Sequence, residues 1–157
     1  CMPVSSNAPG SHSTDAAMHP YVSFINPTRL PAPNGFTHVA IAPVDRLIVV
    51  SGQVAYAQDG SIVGKGDLAA QTRQVFENLA TALEAAGSAL TYAVKLNYFV
   101  RDLTEEAVAT IRRVRAPYLD AGQPPASTLV GVAALAKPDL LLEVECLALL
   151  PPQYPSE

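Results

Sequence analysis

The sequence predicts an α+β fold: a six-stranded mixed sheet with two helices on one face, in the order β-β-β-α-β-α-β-β. Three observations predict it. Two stretches repeat apolar residues at helical spacing, and six short apolar runs are bounded by Pro, Gly, Asn and Asp. The composition, 49% hydrophobic against 15% charged over 157 residues, is rich for a solitary globule. One domain with a real core is expected, part of whose apolar surface closes against copies of itself.

Residues 1–20 are small and polar, without periodicity, and read as a flexible leader ahead of a single domain over 21–157. Residues 21–25 form a strand closed by Asn26-Pro27, where proline offers no N–H for pairing. After a loop containing Pro31, Pro33, Asn34 and Gly35, strands over 37–42 and 46–52 are expected as a hairpin across Pro43-Val44-Asp45. The run Leu47-Ile48-Val49-Val50 is continuously apolar, as in a strand buried on both faces, and Gly52 permits close approach of a backbone or ligand. Asp67 caps a helix to about Ala86, with Gly87 at its end and an apolar stripe of Val75, Leu79 and Leu83 widened by Phe76. A strand over 94–100 leads to a second helix, capped by Asp102 or Thr104, whose apolar face is Ala107, Ile111, Val114 and Tyr118. Gly122-Gln123-Pro124-Pro125 breaks it.

The last two strands, 126–135 and 140–150, carry the most informative pattern. Alternation puts Leu140, Leu142, Val144, Cys146, Ala148 and Leu150 on one face and Leu141, Glu143, Glu145, Leu147 and Leu149 on the other. A solvent face does not normally hold two carboxylates among three leucines. Another subunit or a lined cleft is expected to cover it, although neighbouring acids on a strand are more often edge or ion-paired residues than catalytic ones.

A net charge of −4 gives no electrostatic footprint for nucleic acid, and Arg112, Arg113 and Arg115 read as a solvated or paired helix face. No apolar run is long enough to span a membrane. Two cysteines at opposite ends, Cys1 and Cys146, suggest neither a disulfide framework nor a zinc site, and a cytoplasmic setting fits. His12 and His19 have no partners at ligand spacing, and His38 reads as a core or interface histidine. Gly64-Lys65-Gly66-Asp67 lacks phosphate-loop spacing, and no cofactor or metal is implied.

Taken together, Val50-Ser51-Gly52-Gln53, Gly64 to Asp67, Gln71 to Leu79, Val94-Lys95, Phe99-Val100-Arg101-Asp102-Leu103, Pro125-Ala126 and Glu143-Val144-Glu145 resemble the Rid (YjgF-type) family of reactive-intermediate deaminases. The resemblance implies a homotrimer whose sheets line a central barrel, with a small-molecule cleft at each subunit interface. It also implies a hydrolase that turns imines and enamines into ammonia and a keto acid. In that family a glutamate on the last strand positions water, an arginine after the Pro-Ala pair holds a substrate carboxylate, and a tyrosine lines the cleft. The corresponding residues are Glu143 as the catalytic group, Ser127 at the arginine position and Phe36 at the tyrosine position, with Thr128 and Gly52 as further substrate-binding candidates. Ser127 and Thr128 offer neutral hydroxyls where a guanidinium would offer a charged fork. A small, less anionic imine, enamine or enol is thus the expected substrate, for deamination or tautomerisation. A homologue that binds without turnover, and a pathway-specific tailoring enzyme, remain alternatives.

Overall fold

The computed structural model describes residues 22–42 and 46–151. The leader expected over 1–20, and Pro43-Val44-Asp45, lie outside the described residues. The observed order is β1 (Ser23–Ile25), β2 (Val39–Ile41), β3 (Leu47–Gln53), α1 (Leu68–Ala85), β4 (Ala93–Arg101), α2 (Glu105–Arg115), β5 (Ala126–Val132) and β6 (Leu142–Leu149), with short 3-10 turns before β4 and after α2. This is the predicted mixed α+β order.

The six strands divide into a two-stranded ribbon, β1-β2, and a four-stranded sheet ordered β3-β6-β4-β5. β2 therefore pairs with β1 and β3 with β6, not with each other as a hairpin. The cause lies beyond local sequence. Thr37 is drawn to the 124–126 segment, its N–H donating to Pro125 O at 3.3 Å and its hydroxyl to Pro124 O at 2.7 Å. The His38 N–H meanwhile donates to Asn26 Oδ1 at 2.9 Å, which aligns β2 with β1. β4 and β5 run parallel, joined by the α2 crossover, and the other pairs are antiparallel.

Both helices have built ends. Asp67 accepts the Ala70 N–H at 3.0 Å at the start of α1. At its end Gly87 turns left-handed (φ 78°), so that Ser88 N–H reaches Leu83 O and Gly87 N–H reaches Glu84 O, a Schellman closure. Thr104 caps α2, accepting from Ala107 N at 3.1 Å. Glu105 and Glu106 in the first turn and Arg112, Arg113 and Arg115 in the last complement the helix dipole.

The core sits between the helices and one sheet face. Val75, Phe76, Leu79 and Leu83 of α1 and Ile111 of α2 meet Leu96, Tyr98 and Val100 of β4 and Leu142, Val144, Cys146 and Ala148 of β6. The alternation of β6 is observed as predicted through Ala148: its even-numbered residues are buried, while Glu143, Glu145 and Leu147 are half-buried on the opposite, open face; Leu149, expected on that face, is buried as well. β3 departs from expectation, because within one subunit Val49 is 70% exposed and Leu47 is also exposed.

Candidate functional site

Glu143 and Gly52 come together. They lie on neighbouring strands, where the β3-β6 register shifts between Val50 and Gln53. A Cβ on Gly52 would fall on Glu143 Oε1 and within 2.8 Å of Cδ and 2.9 Å of Cγ. The missing side chain is what lets the carboxylate lie against the β3 backbone. Among the described residues no side chain forms a hydrogen bond or ion pair with Glu143. Glu145, two residues on, is different: Asn97 Nδ2 donates to its Oε1 at 2.7 Å. It lines a small open-face cleft of about 120 Å³ with Val49, Lys95, Asn97 and Leu147. Of the two acids, Glu145 is tied structurally and Glu143 is left available.

Two pins on α1 set this pair in place. The side chain of Gln71, fully buried, donates to Gly64 O (3.2 Å) and Asp139 O (2.7 Å) and accepts the Leu141 N–H (2.8 Å). It thereby fixes the entry to β6 two residues before Glu143. Asn78 donates to Val54 O (2.9 Å) and Tyr56 O (3.0 Å), which fixes the exit from β3 just after Gly52. Polar residues on the buried side of an otherwise apolar helix are the sequence signal for such pins.

Phe36, Ser127 and Thr128 lie elsewhere, at the β5 edge. Thr37 forms a parallel bridge with Ala126, which places Phe36 beside the start of β5. The Phe36 ring packs edge-on to His38 at 5.2 Å, and His38 Nε2 lies 2.9 Å from Pro31 O, so this histidine organises the loop. Ser127 is in register with buried Leu96 and so faces the helix side, while Thr128 faces the open side. Lys95 Nζ donates to Thr128 Oγ1 at 2.6 Å, and Arg101 pairs with Asp102 at 3.2 Å. Neither cation reaches Glu143 within the subunit. Nearby Gln123 Oε1 is buried without a hydrogen-bond partner.

Two buried titratable groups, Tyr98 and Cys146, are held neutral. Burial pushes the Tyr98 hydroxyl up to about 12, against the opposing influence of Arg115, and pushes the Cys146 thiol up to about 12. Among the described residues no cluster of His, Cys, Asp and Glu has the makings of a metal site. No described helix is long and apolar enough to cross a membrane.

Comparison with known proteins decides the family. The model of the family described as Endoribonuclease L-PSP matches residues 26–150. The chain belongs to this family, the Rid or YjgF proteins. A RutC family protein of Synechocystis is 34% identical to this Rid protein over 131 residues, 83% of this chain and 98% of the relative. Protein HMF1 of Saccharomyces cerevisiae is 37% identical over 59% of this chain and 68% of its own. Among solved structures, the Rid-family protein YyfB of Yersinia pestis superposes with a TM-score of 0.75 at 36% identity, over 82% of this chain and 98% of that one. RidA from an Antarctic Psychrobacter gives 0.60 at 29% identity, over 80% and 98%.

Proposed function

We propose that this Rid protein hydrolyses small imines or enamines in a cleft between the subunits of a homotrimer, with Glu143 handling the proton. The observation that carries this reading is the carboxylate of Glu143, laid against Gly52 on a half-covered face and, among the described residues, with no side chain bonded to it. Glu145, by contrast, has a partner in Asn97. The apolar residues left exposed on the sheet, Leu47, Val49 and Val130, support completion of the site by another copy.

The chemistry suits one carboxylate. Water adds to the imine carbon while its proton passes to Glu143, and the C=N pair moves onto nitrogen. The Glu143 acid then returns that proton to nitrogen, giving a carbinolamine. The carbinolamine hydroxyl proton follows to nitrogen by way of Glu143, the oxygen lone pair closes the C=O as the C–N bond breaks, and ammonia leaves with a carbonyl product. An enamine enters the same path by proton transfer to its terminal carbon. With Ser127 rather than a cation following Pro125-Ala126, a substrate less anionic than a 2-imino acid is favoured.

The test measures ammonia release from a panel of imines and enamines formed in situ, 2-aminoacrylate included. The wild-type chain should accelerate release from at least one. Glu143→Gln should lower that rate about a hundredfold, with the oligomer unchanged by light scattering. A monomer at micromolar concentration, saturable binding without turnover, or an unaffected Gln variant overturns the reading.

A further inference from the structure

Arg115 is a buried cation that forms no ion pair among the described residues. It is 6% exposed, at the C-terminal end of α2. Its Nη1 donates to the Tyr98 hydroxyl at 2.6 Å and its Nη2 to Gly35 O at 2.7 Å, with the guanidinium carbon 5.0 Å above the Tyr98 ring. These partners are uncharged, since burial holds the Tyr98 hydroxyl protonated up to about 12. Among the described residues the ion pairs are Lys65–Asp139 and Arg101–Asp102, and Arg115 belongs to neither. The carbonyls ending α2 supply only about half a negative charge. Buried charges are normally paired, because an unpaired one forfeits its hydration without return.

This arginine lines a cleft of about 250 Å³, below the range of drug-sized ligand pockets. Arg112, one helical turn earlier, brings a second guanidinium to it, and Asn34 a side-chain amide. Asp120 also lines it, its Oδ1 accepting the Gly122 N–H at 2.8 Å, and its charge offsets one of the two guanidiniums. Leu119 and Pro124 form apolar wall. The cleft thus combines two guanidinium groups, one carboxylate and a greasy side, with a net positive charge.

We infer that this cleft binds a small organic carboxylate, its charge held by Arg115 and Arg112 and its short apolar stem laid on Leu119 and Pro124. A guanidinium carries five N–H donors, and the two bonds to Tyr98 and Gly35 leave others for a carboxylate. The apolar wall favours an organic acid over a strongly hydrated inorganic anion. The site is on the helix side of the sheet, away from Glu143 of the same subunit, and does not depend on the imine hydrolysis reading.

Titration of the isotopically labelled full chain with propionate, followed by NMR at constant ionic strength, tests this. Saturable shifts should centre on Gly35 and Leu119. Arg115→Gln should weaken binding about tenfold, the loss of one charge-assisted contact. Because Arg115 also supports the fold, exposed Arg112→Gln serves as the second variant and should weaken binding several-fold. Glu143→Gln should leave it unchanged. The inference is overturned if no saturable shifts occur at millimolar propionate, if they centre on Gly52, or if Arg112→Gln binds as wild type. Inorganic phosphate binding as tightly as propionate likewise overturns the assignment to an organic carboxylate.

Discussion

Gly52→Ala isolates the geometry on which the proposed chemistry depends. The added methyl would fall on Glu143 Oε1 and lie 2.8 Å from Cδ, whereas ordinary contact begins at 3.4 Å. The carboxyl carbon must therefore retreat by at least about 0.6 Å, and the oxygen by more. Misplacing a reacting group by about 1 Å costs on the order of a hundredfold in rate. Ammonia release should thus fall between about tenfold and a hundredfold. Stability should change far less. Crowding costs about 1–3 kcal/mol, while loss of glycine's freedom in the unfolded chain returns about 0.4–1 kcal/mol. Gly52 does not occupy the left-handed region, so alanine adds no backbone strain there. The net is a loss of up to about 2.6 kcal/mol, or a melting point lowered by up to about 10 °C. Steady-state rates and thermal melts on the same preparation separate the two effects. Unchanged activity would show that the position of Glu143 against Gly52 is irrelevant to the reaction. Collapse of the fold would show that Gly52 serves structure first.

Two further outcomes follow from the buried polar groups. Gln71→Ala removes three hydrogen bonds, two of them at 2.7 and 2.8 Å, and strands buried backbone groups at the entry to β6. It should cost about 3 kcal/mol or more, seen in urea melts as a lower midpoint, and a loss under about 1 kcal/mol would refute the pinning role. At alkaline pH, Tyr98 and Cys146, both neutral when protonated, have folded values near 12 against ordinary values of 10.0 and 9.0. Their contribution is complete below about pH 9 and declines as pH rises toward 12, by up to about 1.4 kcal/mol per unit for each group. Urea melts from pH 8 upward measure it, Cys146→Ala should flatten the slope, and pH-independent stability would contradict both burials.

What was legible in the sequence follows its periodicities. The alternation of 140–150 located the buried row Leu142, Val144, Cys146 and Ala148 and the opposite placement of Glu143. Spacing and caps located both helices, and Gly87 with positive φ closes α1 as its position suggested. The pairing of β2 was not legible, because bonds from Thr37 to Pro124 and Pro125 span nearly ninety residues and leave no local trace. The contrast between Glu143 and Glu145 was also hidden, since it depends on Asn97 across the β4-β6 ladder. Arg115 read as one of three basic residues on a solvated or paired face. Only its tertiary contacts with Tyr98 and Gly35 show that it is buried and, among the described residues, outside any ion pair.

The placement of the candidate residues bears on what kind of assembly the proposed site needs. Glu143 pairs with Phe99, and Ser127 with Leu96, so the two stand two strands and three residues apart. Strand spacing and rise make that roughly 14 Å, with Glu143 on the open face and Ser127 on the helix face. A small molecule cannot touch both within one copy. Gly52 and Glu143 adjoin the β3 edge of the sheet, while Phe36 and Ser127 adjoin the opposite β5 edge. A two-fold interface can join the unlike patches only reciprocally, each interface then carrying two mixed clefts related by the axis. A head-to-tail contact joins them once per interface, and such contacts end without loose edges only when they close into a ring. The proposed trimer is a small closed ring that meets this condition, and it repeats one mixed cleft at every interface.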